Sequence, residues 1–215
     1  MEFSNADGIK LVFDLITVIQ ENKQYLSDID GLIGDGDHGI NMNKGFTLCE
    51  EQLKENHGNL THGLNTLSKI LLMKIGGSMG PLYGYFFKSM ASACDGKEMI
   101  DAIVFGQMIS NSRKGIEKIS EAKVGDKTLM DVLVPSEQTY HISFADGKSF
   151  SECLDDMTAA AQQGRDSTKE LVARLGRSSR LGKRSRGVID AGAASCYLVI
   201  ETFSNSIQVL LQKAK

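Results

Sequence analysis

Along most of the chain the apolar positions repeat with helical rather than alternating spacing. Ile9, Val12, Phe13, Ile16 and Ile19 fall on one stripe, the i, i+3, i+4, i+7 spacing that lets one helix face be buried, and Ser4, Asn5 or Asp7 is available as its N-cap. The same period predicts further helices over about 40–56, 61–76, 81–95, 98–120, 127–139, 150–176 and 191–213, which makes eight. Pro81 and Pro135 are the only two prolines, so little in the chain breaks these segments. The expected fold class is all-α. With 41% hydrophobic residues and no shift of composition, internal repeat or low-complexity stretch, residues 1–215 read as a single domain with one core.

Charge and cysteine usage narrow the classes further. A formal net charge of −3 gives no general attraction to nucleic acid or to an anionic membrane, so neither is expected as a partner. Cys49, Cys94, Cys153 and Cys196 stand far apart without a Cys-x-x-Cys pair, which fits free thiols in a reducing compartment better than a zinc ribbon or a disulfide framework. Asp14 interrupts the apolar stretch from Leu11 to Ile19, unlike a signal-peptide core, and no run approaches the roughly 20 apolar residues of a membrane span. The expected localisation is cytoplasmic.

The breaks between the predicted helices carry the chemistry. In Asp30-Gly-Leu-Ile-Gly-Asp35-Gly-Asp37-His38-Gly39 the glycines argue against a regular helix, Asp35 and Asp37 would point the same way in an extended stretch, and Asp30 would have to fold back to join them. Two unit charges at ~4 Å repel by about 4 kcal/mol at an effective dielectric near 20, so converging carboxylates call for cations, and hard oxygen ligands suit magnesium or manganese. The alternative is a solvated acidic turn with the carboxylates splayed apart. An EF-hand is excluded, because a loop begun at Asp28 puts Ile33 at the glycine position and Gly39 at that of the bidentate Glu. Gly34-x-Gly36-x-x-Gly39 matches the dinucleotide fingerprint literally, but its intervening Asp residues repel a pyrophosphate and no strand precedes it. A Walker A loop is missing too, since Gly125-Asp-Lys-Thr128 has no Gly-Lys adjacency. Gly39 to Asn41 should open the next helix, whose free N–H groups favour a phosphate; His38 either contacts that ligand or is a cap or surface residue.

Three other loops share this character. Gly76-Gly-Ser-Met-Gly80 runs into Pro81 at a helix start, which is either another set of ligand-facing N–H groups or close packing at small residues. Ser78 would add a hydroxyl there, and Met79 an apolar surface for a purine ring. Arg174, Arg177, Arg180, Lys183, Arg184 and Arg186 form either a solvated face or the cationic donors that phosphoryl transfer needs. Asp190-Ala-Gly192 offers an N-cap to the last helix and a close approach at the glycine. His38, His57, His62 and His141 have no zinc spacing, and no Gly-x-Ser-x-Gly elbow occurs.

Taken together, Ile33-Gly-Asp-Gly-Asp-His-Gly-Ile-Asn-Met-Asn43, Gly76-Gly-Ser-Met-Gly-Pro-Leu-Tyr-Gly84, Gly125-Asp-Lys-Thr128 and Gly176-Arg-Ser-Ser-Arg-Leu-Gly182 through Asp190 resemble, in order and spacing, the nucleotide-binding L subunit or domain of dihydroxyacetone kinases. The resemblance spans nearly the whole chain. It implies an eight-helix antiparallel up-and-down barrel with the nucleotide at one end. It further implies that Asp30, Asp35 and Asp37 bind two magnesium ions, and that ADP or ATP is contacted by His38, Gly39, Ile40, Asn41, Ser78, Met79, Leu129, Arg177, Asp190, Ala191 and Gly192, with Arg177 also the catalytic residue. Ser78-Met79 departs from the usual Ala-Ser of the family and Ala191 from the usual Pro, and Arg180 and Arg186 are extra.

In this family the ketose is held on a separate K subunit or domain, and a 215-residue chain filled by the helical barrel leaves no room for it. The resemblance thus implies a phosphotransferase subunit active only with a partner. It would transfer a phosphoryl group to dihydroxyacetone or a related short ketose, with ADP as a resident cofactor recharged by a phosphohistidine carrier protein of the phosphoenolpyruvate-linked system. The alternatives are a subunit that exchanges ATP, or a non-catalytic nucleotide-sensing module that binds a regulator. A homodimer is a further expectation.

Overall fold

The computed structural model describes residues 1–213. Its framework is α1 (Ile9–Glu21), α2 (Lys23–Ile33), α3 (His38–Glu55), α4 (Leu60–Lys74), α5 (Met79–Cys94), α6 (Ala102–Glu117), α7 (Met130–Ala145), α8 (Phe150–Ser167) and α9 (Ala191–Lys213). Two short strands, β1 (Glu2–Ser4) and β2 (Met99–Asp101), pair antiparallel with Phe3 opposite Ile100, and 3-10 turns cover Thr168–Glu170 and Arg177–Ser185. From α4 to α9 each helix packs on the next, α9 returns to α1, and α1 meets α3 and α4. That closed circuit is consistent with the expected barrel. Leu11, Leu15, Phe46, Phe87, Phe105 and Phe203 are among the side chains that fill its interior. No helix among the described residues is long and apolar enough to cross a membrane.

Nine α-helices rather than eight are present among the described residues, and the additional one is α2. It covers Lys23–Ile33, where the glycines were expected to keep Asp28 to Gly39 irregular. Leu26 and Ile33 are buried and Ile29 packs against the core, a stripe whose burial outweighs the roughly 1 kcal/mol that Gly31 costs inside a helix. Asn22 alone separates α2 from α1.

Other boundaries also differ, α7 running from Met130 to Ala145 where 127–139 was expected. The segment expected to be helical from residue 98 begins as β2, and Asp101 accepts from the N–H of Val104 at 2.8 Å to start α6. Residues 150–176 are helical only to Ser167, after a capping box at Ser149 and Glu152. The expected cap of α1 is corrected: Gly8 holds that position without a side-chain bond. Ser4 and Asp7 bond to each other, while Asn5 reaches Thr61 and the carbonyls of Cys94 and Lys97.

Candidate functional site

The acidic residues are brought together by a helix end, a left-handed glycine and a helix start. Asp30 lies in the last turn of α2, so it joins the cluster from a helix and not by folding back within a loop. Gly36, at φ 75°, turns the chain in a region that side-chain-bearing residues avoid, and α3 begins directly after Asp37. One carboxylate oxygen from each of Asp30, Asp35 and Asp37 lies within 4.8 Å of the others. Asp30 also accepts from the N–H of His38 at 3.3 Å. Burial holds Asp30 above the usual carboxylate range, and the charge of Asp35 adds to this. Arg177 is the countercharge, pairing with Asp35 and standing 3.8 Å from Asp37. Three convergent hard oxygen donors beside a cation fit a divalent metal site.

Beside the triad opens a cleft of about 440 Å³. Asp30, Asp35, Asp37, His38, Asn41, Ser78, Met79, Leu129, Arg177, Asp190, Ala191 and Gly192 all line it, so twelve positions from five separate stretches of the chain converge on one cavity. Met79, Leu82, Leu129 and Ala191 give it an apolar stretch, while the carboxylates and Arg177 form its charged side. Two expected residues do not line it. Gly39 is buried where a Cβ would collide with the Lys23 carbonyl and with Ser27, so it serves the crossing of α3 over α2. Ile40 is 53% exposed and lies outside the cleft lining. What these two offer is their backbone N–H groups in the first turn of α3, which have no acceptor within the helix.

His38 sits at the end of a buried polar chain. Its Nε2 is 2.8 Å from Ser195 Oγ, which is 2.6 Å from the Tyr83 hydroxyl. Loss of solvent pushes the imidazole down to about 4, so it is neutral at physiological pH. Tyr83 and Ser195 were missed in the sequence, although each lies one helical turn beyond an expected contact, Tyr83 four after Met79 and Ser195 three after Gly192. Asp190 caps α9 by accepting from the Ala193 N–H at 2.8 Å. Its burial pushes its carboxyl up to about 6, opposed by the Ala193 bond and by Lys127. Lys127, Thr128 and Leu82, which belong to the family motifs but not to the expected contacts, also line the cleft, as do residues 120–122.

The geometry defines a class, an all-helical domain with a carboxylate triad and a cation at the mouth of a cleft, and similarity to known proteins makes it specific. The DAK2 domain family matches residues 32–205. The chain is 41% identical, over 93% of its length and 95% of the relative's, to the ADP-binding subunit DhaL of PEP-dependent dihydroxyacetone kinase 1 from Listeria innocua. It is 33% identical, over 86% and 88%, to the corresponding ADP-binding subunit from Escherichia coli. Its fold resembles a dihydroxyacetone kinase of C. freundii solved with AMP-PNP and Mg2+, at a TM-score of 0.66 and 19% identity over 93% of this chain. The chain spans about a third, 33%, of that solved chain. This chain belongs to the DAK2 domain family.

Proposed function

We propose that this chain is the ADP- or ATP-binding subunit of a dihydroxyacetone-type kinase, a phosphotransferase active only with a partner. Its partner would be a K subunit holding dihydroxyacetone or a related short ketose. The phosphoryl source favoured here is a phosphohistidine carrier protein, with ADP resident. The observation that carries the reading is the convergence of Asp30, Asp35 and Asp37 within 4.8 Å beside the open N-terminus of α3 and Arg177. Relatives of nearly the same length are ADP-binding subunits by name.

Asp30, Asp35 and Asp37 would hold two magnesium ions, which supply charge neutralisation on the nucleotide phosphates. The first-turn N–H groups of Gly39 and Ile40 favour the same anion, while that of His38 is held by Asp30 and that of Asn41 by the Asp37 carbonyl. Ser78, Met79 and Leu129, with Asp190, Ala191 and Gly192 beside Leu129, would give a wall for the nucleoside. Arg177 and a divalent cation would compete for the carboxylates of Asp35 and Asp37, and a guanidinium released from them has a planar fork that suits charge growing on a transferring phosphoryl group.

The test mixes the purified chain, the K subunit, dihydroxyacetone, and either ATP or the phosphorylated carrier, omitting each in turn. Ketose phosphate is expected only when chain and K subunit are both present. Product formed by this chain alone would overturn the subunit reading, and no product from any complete mixture would overturn the kinase reading. Product with the carrier but not with ATP is the outcome expected of a resident nucleotide.

A further inference from the structure

Arg177 stands on a long excursion that leaves α8 at Thr168 and returns to α9 at Asp190. The two ends of that excursion are tied together beneath it. The N–H of Gly187 donates to the Lys169 carbonyl at 2.7 Å, and the N–H of Asp190 donates to Thr168 Oγ1 at 3.0 Å. Between the ends lies Lys127, only 1% exposed. Its Nζ donates to the Thr168 carbonyl at 2.5 Å and also to the Val188 carbonyl. A buried ammonium that spends its donors on two backbone carbonyls 20 residues apart in sequence, without a direct ion pair, acts as a bracket between them.

The turn around Lys127 is built to deliver this side chain. Lys127 has φ 63°, the single positive value outside glycine among the described residues, a conformation that a residue with a Cβ adopts only when its surroundings impose it. Asp131 imposes it from the start of α7: one carboxylate oxygen accepts from the Gly125 N–H at 2.5 Å and the other from the Thr128 N–H at 2.7 Å. Farther out, the N–H of Arg174 donates to the Asp126 carbonyl at 3.2 Å, so the same turn holds the excursion at a second point.

We propose that Lys127 is a positioning residue, which brackets the Thr168 and Val188 carbonyls and thereby sets where Arg177 stands over Asp35 and Asp37. The consequence for turnover rests on the phosphotransfer reading; the consequence for the loop does not. Arg174, Arg177, Arg180, Lys183, Arg184 and Arg186 make the excursion dense in trypsin sites, so its opening can be read directly.

The variants are Lys127→Met, which keeps the stem, and Lys127→Gly, which suits the left-handed backbone. Trypsin should cut between 174 and 186 at least roughly tenfold faster in both, since cleavage follows the open population, and butylammonium should slow cutting of Lys127→Gly again. Turnover with the K subunit should fall on the order of 100-fold from misplacement of Arg177. On an Arg177→Ala background, Lys127→Met should cost less than about threefold more, because the two act through one group. Unchanged cleavage in both variants, or a full multiplicative loss in the double variant, would overturn the proposal. Faster cleavage in a protein whose wild type transfers no phosphoryl group would leave the bracket standing and remove the kinase reading. If neither variant folds, hydrogen exchange on the wild type decides: Gly187 and Asp190 amides as protected as the core helices support the bracket, and rapid exchange at both overturns it.

Discussion

Asp190 shows how one side chain serves fold and site together. Its carboxylate caps α9, and the same burial that makes the cap effective raises its pKa to about 6 from an ordinary 3.8. A carboxyl raised in the folded state binds its proton more tightly there than in the unfolded chain. Its favourable contribution is therefore fully present below the unfolded pKa and is lost as pH rises through about 6. Asp190→Asn keeps an oxygen to accept from Ala193 but cannot ionise. Thermal melts of wild type and variant are expected to diverge between about pH 4 and 6, the wild type losing stability relative to Asp190→Asn as pH rises. A constant difference across that range would show that Asp190 is not raised. Arg177, by contrast, carries no structural duty comparable to that cap: it is exposed and bound to two carboxylates, a reversible arrangement suited to a group that must change partners.

At the scale of elements, the site depends on how closely α3 crosses α2. Gly39 has no room for a Cβ against the Lys23 carbonyl and Ser27, so Gly39→Ala must push the start of α3 away from the helix that carries Asp30. The expected result is a loss of both melting temperature and magnesium-dependent ADP binding, with roughly 1–3 kcal/mol for the overpacking, whereas Ile40→Ala, at an exposed position, leaves both nearly unchanged. Calorimetry with ADP and magnesium on the two variants checks this, and equal behaviour would mean the crossing does not set the site. The same region shows what was legible in the sequence. The convergence of the acidic residues, the glycine-rich start of α5 and the cap at Asp190 follow from residue type and spacing, although Asp30 comes from the last turn of α2 and α5 starts at Met79. α2 is masked in the sequence because its glycines obscure the Leu26, Ile29, Ile33 stripe, although buried apolar area decides such conflicts. β2 and the early end of α8 depend on Asp101 capping and on Thr168 meeting Lys127, contacts across the fold that no local pattern contains. The link from His38 through Ser195 to Tyr83 joins positions 157 and 112 residues apart. Helical spacing placed these side chains on the right faces, but only packing made them neighbours.

For the whole molecule, the circuit of helices carries the carboxylate triad and Arg177 at one cleft, and binding there should be readable as global stability. Three carboxylates within 4.8 Å of one another repel nucleotide phosphates when no cation intervenes, by about 4 kcal/mol for each unit pair at ~4 Å and an effective dielectric near 20. Without phosphate oxygens the triad leaves open positions on a cation that prefers six oxygen ligands. Magnesium and ADP should therefore bind well only together. A ligand pair at 100 times its dissociation constant stabilises the native state by about 2.7 kcal/mol, which for a domain of this size is a rise of roughly 5–10 °C in melting temperature. The expected pattern in thermal melts is that full shift with magnesium and ADP, and shifts below about 2 °C with either alone. Asp30→Asn, Asp35→Asn and Asp37→Asn should each lose most of the joint shift while keeping a melting temperature near that of the unliganded wild type, since removing one of three mutually repelling charges relieves the empty site. An undiminished shift with ADP in excess chelator would show that the nucleotide is held without metal, and would move the assignment from the triad to the N–H groups of α3.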